Sequence, residues 1–187
     1  MTERPILFSG AMVRAILAGQ KTQTRRIIKP SPPRVMEAPQ GHEFSVAGHD
    51  HRCPYGQPGD RLWVKETHIR RGDSAIYRAD LDGVEAAGMG AMYGGWKPSI
   101  FCKRIHSRLT LEITAVRVER LQDISMADAV AEGVEPTEGR LWKSYTSSMA
   151  FSHPASSYAS LWESINGPGS WAKNPWVWVV EFKEVRP

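Results

Sequence analysis

A run of alternating apolar residues between positions 107 and 121 constrains the fold more than any other stretch of the sequence. Its apolar residues occupy two opposite parities, Leu109, Leu111 and Ile113 first and then Val116 and Val118. Because successive side chains of a β-strand point to opposite faces, the pattern predicts one long strand with a bulge or bend near Thr114. A sheet must therefore form around this segment.

Further strands are predicted on both sides of this segment. Residues 61–65 alternate after the turn signal Pro58-Gly59-Asp60, and residues 25–29 and 74–80 give two more short strands. The segment 176–182 is apolar on both faces at its start, so we expect it to lie in the middle of the sheet. Strands outweigh helices, and no internal repeat is present.

Three helices are predicted from their end signals and apolar periodicity. Ser9 is a good N-cap for a helix with one apolar stripe, and Gly19 is a typical helix terminator. The segment DISMADAVAEGV predicts a short helix whose last residue is Glu132. Residues 153–167 predict an amphipathic helix that the final Asn-Gly pair stops.

Two stretches are predicted to be irregular. Several prolines, beginning with Pro30, interrupt the chain up to about Gly56, and a loop of that length is either functional or mobile. Residues 81–95 are rich in Gly, Ala and Met without a clear period. We therefore expect a loop there that covers part of the protein.

Composition narrows the class of protein. The chain has 187 residues, of which 41% are hydrophobic and 24% are charged, which fits one globular domain better than two. A formal net charge of +4 modestly favours a polyanionic partner. Cys53 and Cys102 are too few for a disulfide framework, and no apolar run is long enough for a signal peptide or a membrane span. We expect a cytoplasmic protein with no membrane association.

The segment GQKTQTRR, residues 19–26, follows the predicted end of the first helix. Lys21, Arg25 and Arg26 are suited to contacts with phosphate, to complementing the negative end of that helix, or simply to solvent. Glu132 ends a helix where a cation would be favoured, so its presence calls for another reason. The residues alone leave these alternatives open.

Four segments, taken together, resemble one known family. They are ILFSGAMVRAILAGQKTQTRR, YGQPGDRLWVKET, LTLEITAVRVERLQDIS with the AEG helix end that follows, and NPWVWVVEFK. In this order they resemble an ASCH-domain protein of the PUA-like superfamily, in its longer branch encoded by phages and prophages. The helix-end motif through Arg26 and the Pro58-Gly59-Asp60 turn are the specific features of the resemblance.

The resemblance implies an α+β fold, a PUA-like, partly open β-barrel with short helices over a cleft and long loop insertions. It implies a single domain over residues 1–187. The insertions, relative to small family members, fall at about residues 30–57, 81–107 and 134–155. They would cover the cleft or reshape it for a larger ligand.

Small bacterial members that this chain resembles are amidohydrolases that remove the acetyl group from N(4)-acetylcytidine. Carried over by motif, the base falls on Lys21, the threonine nucleophile on Thr24 and the proton donor on Glu132. A desolvated lysine has its neutral form favoured and can activate a threonine hydroxyl. Arg26 would bind an acyl oxygen, sugar or phosphate. The remaining predicted ligand-binding residues are Thr22, Arg25, Trp63 and Glu66.

A non-catalytic module that binds a nucleoside or RNA stands beside the hydrolase, because many ASCH domains carry an acidic residue at the position of Thr24 and the superfamily was first proposed to bind RNA. A ribonuclease using Lys21 and Glu132 is a third reading. Trp96 and Trp171 lie in predicted loops, where a base could stack on them, although packing is the commoner role of tryptophan. No cofactor is expected.

Histidines and cysteines invite a zinc hypothesis that we do not adopt. His49, His51 and Cys53 lie close in sequence, with His42 before them and Cys102 and His106 further on. The HDHRC segment lacks the paired ligand spacing of a structural zinc site. We therefore predict no metal site.

Overall fold

The structure, a computed structural model, describes residues 1–29, 45–46, 49–50, 52–72 and 74–185, with the backbone alone at 45–46 and 49–50. Within these residues the protein is a mixed α+β structure with four α-helices. The helices are α1 (Gly10–Leu17), α2 (Gly83–Met92), α3 (Met126–Ala131) and α4 (Pro154–Asn166). The strands are β1 (Glu3–Leu7), β2 (Gln23–Ile27), β3 (Ser45–Val46), β4 (His49–Asp50), β5 (Arg61–Lys65), β6 (His68–Arg71), β7 (Ser74–Tyr77), β8 (Thr110–Arg120), β9 (Trp142–Lys143), β10 (Ala150–Phe151) and β11 (Trp176–Glu184).

The chain divides into two compact units. The first comprises Met1–Gly19, Tyr55–Thr114 and Phe182–Pro187, and the second comprises Gln20–Pro54 and Ala115–Glu181. Consequently β8 and β11 each contribute residues to both units. The single domain expected over residues 1–187 stays a prediction.

In the first unit, β5 pairs in parallel with β1 and antiparallel with β8. Leu62 lies opposite Leu111 in the β5–β8 register, and both side chains are fully buried. The short antiparallel pair β6–β7 belongs to the same unit. Helix α1 contributes Val13 and Ile16 to the core, because residues three apart lie on the same side of a helix.

In the second unit, β11 pairs antiparallel with β2, and Arg25 lies opposite Val179. Helices α3 and α4 pack against each other and cover one apolar cluster. Its buried members are Leu121, Ile124, Ala129, Val134, Tyr158, Trp162, Val177 and Val179. This packing holds the C-terminal end of α3 beside β2, where the predicted site residues lie.

The three predicted helices are confirmed as α1, α3 and α4. Ser9 caps α1 by accepting a hydrogen bond from the Met12 amide, and Ser125 caps α3 in the same way. Gly19 has a φ of +70°, the left-handed conformation that ends a helix at little cost for glycine. Glu132 is the residue that follows the last turn of α3 rather than its final helical residue.

The loop predicted at residues 81–95 is wrong, because α2 occupies most of it. Asp82 accepts hydrogen bonds from the amides of Val84 and Glu85, and the Glu85 carboxylate accepts one from the Asp82 amide. This reciprocal capping box stabilises the first turn of a helix whose interior contains unfavourable glycines. The Asp-x-x-Glu spacing was the signal that apolar periodicity did not reveal.

The strand predictions hold, with changes in their limits. The strand expected at 25–29 is β2, which begins two residues earlier, and the one expected at 74–80 is β7, which ends at Tyr77 because residues 78–80 form a 3-10 turn. Strand β8 is continuous through Thr114, and its buried and less buried residues alternate strictly only up to Ile113. The described strands form open sheets and no closed barrel. No helix in the described part of the chain is long and apolar enough to cross a membrane.

Two histidines are buried side by side in the first unit. The rings of His68 and His106 lie 5.7 Å apart between centroids, and His68 is 1% exposed. Burial lowers the pKa of His106 below 6.5, and the nearby positive charges of Arg70, Lys103 and Lys97 lower it further. The folded chain therefore holds His106 neutral at pH values at which the unfolded chain begins to protonate it.

We expect the free energy of unfolding to fall as the pH drops through 6.5 toward the lower folded-state pKa of His106. In that window the unfolded chain binds more protons than the folded chain, so acid favours unfolding. Urea unfolding at pH 7.5, 6.5 and 5.5 measures the effect. The His106→Gln variant should show a shallower pH dependence, and an unchanged slope would contradict the assignment.

Candidate functional site

Lys21 is a buried ammonium group in the second unit. It is 2% exposed, and its Nζ donates three hydrogen bonds of 2.8 Å, to the Gln23 carbonyl, the Glu132 carbonyl and Glu132 Oε2. The Thr22 amide also donates to the Ala131 carbonyl, which ties the segment before β2 to the end of α3. Lys21 and Glu132, 111 positions apart in sequence, are thereby in direct contact.

Burial lowers the pKa of Lys21 below its ordinary value of 10.5, and this effect outweighs the opposing attraction of Glu132. Arg26 and Arg25 lower the pKa further by repulsion. The neutral amine is therefore more accessible than in an exposed lysine. A buried lysine with a lowered pKa can accept a proton at a pH at which a solvent-exposed lysine is already protonated.

Glu132 joins two cations. Its Oε2 accepts from Lys21, and its Oε1 accepts from Arg25 Nη1 at 3.2 Å. The carboxylate is 4% exposed, so both hydrogen bonds are shielded from solvent. The position of Glu132, unfavourable for α3 itself, is thus explained by two charge-assisted hydrogen bonds.

Arg25 is the centre of a wider ion-pair network. Its side chain is 0% exposed and contacts Glu119, Asp128 and Glu132, with the Nε to Glu119 Oε1 distance at 2.9 Å. Arg117 extends the network by pairing with Glu119, Asp128 and Glu181. Every charge in this network has an opposite charge beside it.

The network residues other than Arg25 and Glu132 were not predicted from the sequence. Glu119 and Arg117 lie two positions apart on β8, where such a pair is typical of a solvated strand face, and Asp128 is an ordinary residue in the first turn of a helix. Their only sequence signal is that Arg117 and Glu119, of opposite charge, lie on the same face of β8. The ion pairs with Arg25 become visible only when the contacts of β2 with distant parts of the chain are known.

Thr24 is buried in the middle of β2. The three hydrogen bonds of Lys21 Nζ described above go to Gln23 and Glu132, and none of the three goes to Thr24. Its neighbours Gln23 and Arg25 both bind Asp128: Gln23 Nε2 donates to the Asp128 backbone carbonyl at 2.8 Å, and Arg25 Nη2 donates to Asp128 Oδ2. Since side chains alternate along a strand, Thr24 points to the opposite face of β2. The structure thus brings Lys21 and Glu132 together and orients Thr24 away from the Asp128 side.

Three other predicted binding residues belong to the same unit. Arg25 forms the network just described, and Thr22 is exposed in the turn before β2. Arg26 is half-buried on β2 opposite Trp178 and, by alternation, shares the Thr24 face. The second unit thus contributes four cations to this region and four carboxylates. The cations are Lys21, Arg25, Arg26 and Arg117, and the carboxylates are Glu119, Asp128, Glu132 and Glu181. The site therefore has no large excess of positive charge.

Tyr158 of α4 is a further residue at this site, which the sequence analysis predicted only as part of an amphipathic helix. Its ring lies 5.8 Å from the guanidinium carbon of Arg25. Burial raises the pKa of Tyr158 well above 10.0, and the Glu132 carboxylate adds to that effect. The tyrosine therefore remains a neutral hydrogen-bonding group beside the charged cluster.

Trp63 and Glu66, also predicted to bind ligand, belong to the first unit. Trp63 lies on β5 with Lys65 Nζ 5.7 Å from its ring centre. Glu66 is 2% exposed, and both of its oxygens accept hydrogen bonds from Arg108, at 3.1 and 3.0 Å. Trp63 and Glu66 therefore belong to a different unit from Lys21.

The two loop tryptophans are held by packing. Trp96 Nε1 donates to the Ala86 carbonyl at 2.8 Å, which links the first half of α2 to the chain that follows the helix. Trp171 packs edge-on against Tyr158 with 6.2 Å between ring centroids. These contacts agree with the packing role that was favoured over base stacking.

The cysteine and histidine side chains behind the zinc hypothesis are only partly described. Cys102 is buried, and its Sγ lies 3.6 Å from the Lys103 carbonyl and 3.7 Å from that of His106. His42, His51 and the side chain of His49 lie outside the described residues. No group of three or more potential metal ligands occurs in the part of the chain that the structure describes.

No family model matches the chain, and no curated protein matches it. Among solved structures, a likeness is found to the crystal structure of protein EF3133 from Enterococcus faecalis V583, which carries the family model DUF984. The two chains are 10% identical, with a TM-score of 0.44 over 99% of this chain and 81% of the other. A likeness this weak does not establish a shared fold or a shared function.

Proposed function

We propose that this protein is an ASCH-domain hydrolase that binds a nucleoside and cleaves the amide of an acylated base such as N(4)-acetylcytidine. One observation carries the proposal. Lys21 and Glu132, to which the resemblance assigns the base and the proton donor, are joined by a buried 2.8 Å hydrogen bond. The finer fold assignment, a PUA-like and partly open barrel, is part of the same proposal.

The pair can move one proton through the reaction. Neutral Lys21 accepts the proton of the Thr24 hydroxyl as its oxygen attacks the acyl carbon. The proton passes along the Lys21–Glu132 hydrogen bond, and Glu132 delivers it to the departing cytosine amine. Water then attacks the acyl carbon of the ester on Thr24, and the bond from that carbon to the Thr24 oxygen breaks. The Thr24 oxygen takes up a proton from the water, and the acyl group leaves as the carboxylic acid. The lowered pKa of Lys21 supports the first step.

The orientation of Thr24 makes it the member of the set that most needs a direct test. Under the proposal, Thr24→Val retains the shape of a buried strand residue but removes the nucleophile. We expect release of cytidine from N(4)-acetylcytidine to fall by about 10³-fold or more, toward the rate without a nucleophile. Chromatographic assay of cytidine over time measures it.

Thr24→Ser is the matched control, because it keeps a hydroxyl on a smaller side chain and should retain a large part of the activity. If Thr24→Val turns over as fast as the natural chain while Lys21→Met does not, the nucleophile is water held by the Lys21–Glu132 pair. In that case the amide hydrolysis stands and the role of Thr24 is withdrawn.

A second candidate, a non-catalytic module that binds RNA, is favoured by the hydrogen bonding of Lys21. Three donated bonds occupy all the protons of an ammonium group, which is the arrangement of a structural cation as much as of a poised base. Incubation with a short mixed-sequence RNA distinguishes the outcomes. Retention of intact RNA with no acetylcytidine turnover would support the module, and RNA fragments would support a ribonuclease.

A further inference from the structure

A cavity of about 460 Å³ lies in the first unit, where the starts of α1 and α2 meet the residues that follow β5. The buried apolar residues that line it are Phe8, Val13, Ala79 and Ala86. Its volume falls within the range of small-molecule sites, which are commonly apolar with a few well-placed polar groups. The proposal for Lys21 and Glu132, which lie in the second unit, does not use this cavity.

Glu66 is the buried polar group of the cavity lining. Arg108 binds both of its oxygens, and the same guanidinium binds Asp80 at 2.7 and 2.6 Å. A carboxylate offers about four acceptor positions, and Arg108 uses two of those on Glu66. Glu66 is thus fixed in place by Arg108 and retains acceptor capacity for an N–H donor of a ligand.

Two arginines that line the cavity, Arg14 and Arg78, form no ion pair with a carboxylate of the residues that the structure describes. Arg14 donates a hydrogen bond of 3.3 Å from Nη1 to the Ala79 carbonyl. Arg78 has an exposed side chain, and its guanidinium forms no ion pair with the residues that the structure describes. Asp82, by contrast, is engaged by the amides at the start of α2. The guanidinium groups of Arg14 and Arg78 can therefore bind an anion at the cavity, whereas the Asp82 carboxylate keeps its negative charge but is held by the start of α2.

We propose that this cavity binds a nucleoside monophosphate. The apolar lining accommodates the base, Glu66 accepts a hydrogen bond from a base N–H, and Arg14 and Arg78 bind the phosphate. Each of the three parts of the ligand matches one feature of the cavity. A ligand without the anionic group would leave the arginines without their partner.

Calorimetric titration of the full chain with cytidine and guanosine monophosphates, and with the parent nucleosides, tests the proposal. We expect the monophosphates to bind about 10-fold or more tightly than the nucleosides, because charge-assisted hydrogen bonds to the arginines are lost without phosphate. In Arg78→Ala, monophosphate affinity should fall about 10-fold toward that of the nucleoside, while nucleoside affinity stays unchanged. Arg78 is exposed, so this variant should fold.

Arg71→Ala is the matched control, since it removes one exposed arginine of the same unit that does not line the cavity. It should leave both affinities unchanged. Ala11→Trp places a large side chain at an exposed position of the lining and should abolish the binding of the monophosphates. Lys21→Met should leave nucleotide binding intact, which separates this proposal from the hydrolytic one.

Three results would overturn the proposal. They are no binding of any monophosphate at millimolar concentration, an equal loss of affinity in Arg78→Ala and Arg71→Ala, and undiminished binding in Ala11→Trp. Two-dimensional NMR gives the position of binding, with shifts expected at the amides of Gly10 and Gly83. Shifts confined to the segment Lys21–Arg25 would place the nucleotide elsewhere.

Discussion

Replacing Lys21 by methionine is expected to lower the hydrolysis of N(4)-acetylcytidine by about 10²- to 10⁴-fold, the usual contribution of a positioned acid–base group. Methionine approximates the length of the lysine side chain and cannot accept the proton of a nucleophile. Glu132 would lose its closest cation and keep only Arg25. The measurement is the initial rate of cytidine release, made on protein whose fold is checked by circular dichroism.

Lys21→Arg separates the chemical role of Lys21 from its structural role. An arginine preserves a positive charge beside Glu132 but is not deprotonated in proteins, so it should support the fold and not the reaction. In the natural chain the rate should rise with pH and level off below 10.5, because the pKa of Lys21 is lowered. A Lys21→Arg variant with more than a tenth of the natural rate would contradict the role of base.

The elements that the sequence predicts well are those whose signals are local. Helices α1 and α3 begin at serines that cap the next turn, and α4 ends at an Asn-Gly pair, so a few neighbouring residues determine each boundary. Helix α2 shows the limit of relying on apolar periodicity. Its glycines conceal the period, and the capping residue Asp82 and its partner Glu85 determine where it begins.

The candidate site was only partly predictable because its contacts join distant positions. The pairing of Lys21 with Glu132 follows from a family motif, since nothing in local physical chemistry connects residues 111 positions apart. The partners of Arg25 on β8 and α3 look like solvated charges in sequence. Their contact with the buried Arg25 depends on the packing of α3 and α4 beside β2, which the pattern of a single strand does not reveal.

Replacing Arg25 by methionine should lower the free energy of unfolding by about 3 to 5 kcal/mol, the cost typical of removing one partner from a buried ion pair. The Arg25 side chain is 0% exposed, whereas Glu119 and Asp128 are 16% and 25% exposed and Glu132 is 4% exposed. Burial alone would lower the pKa of Arg25, but the negative charges of Glu132 and Glu119 outweigh the effect of burial and raise that pKa. Urea unfolding at pH 7 measures the loss.

Arg104→Met is the matched control because Arg104 forms an ion pair with Glu3 at 2.9 Å whose side chains are 45% and 37% exposed. An exposed pair contributes about 0 to 1 kcal/mol, so this variant should be nearly as stable as the natural chain. Equal losses in the two variants would contradict the argument that burial makes the Arg25 network costly to break.

The pH dependence of the Arg25→Met effect separates lost charge from lost packing. Burial alone would raise the pKa of Asp128, but Arg117 and Arg25 outweigh burial and lower that pKa below 3.8. The stability from this pairing is therefore present above 3.8 and is lost as the pH falls through the folded-state pKa. The difference between the natural chain and Arg25→Met should shrink at such acid pH, because protonated carboxyl groups no longer need the guanidinium. A difference that stays constant with pH would instead assign the loss to packing of the arginine side chain.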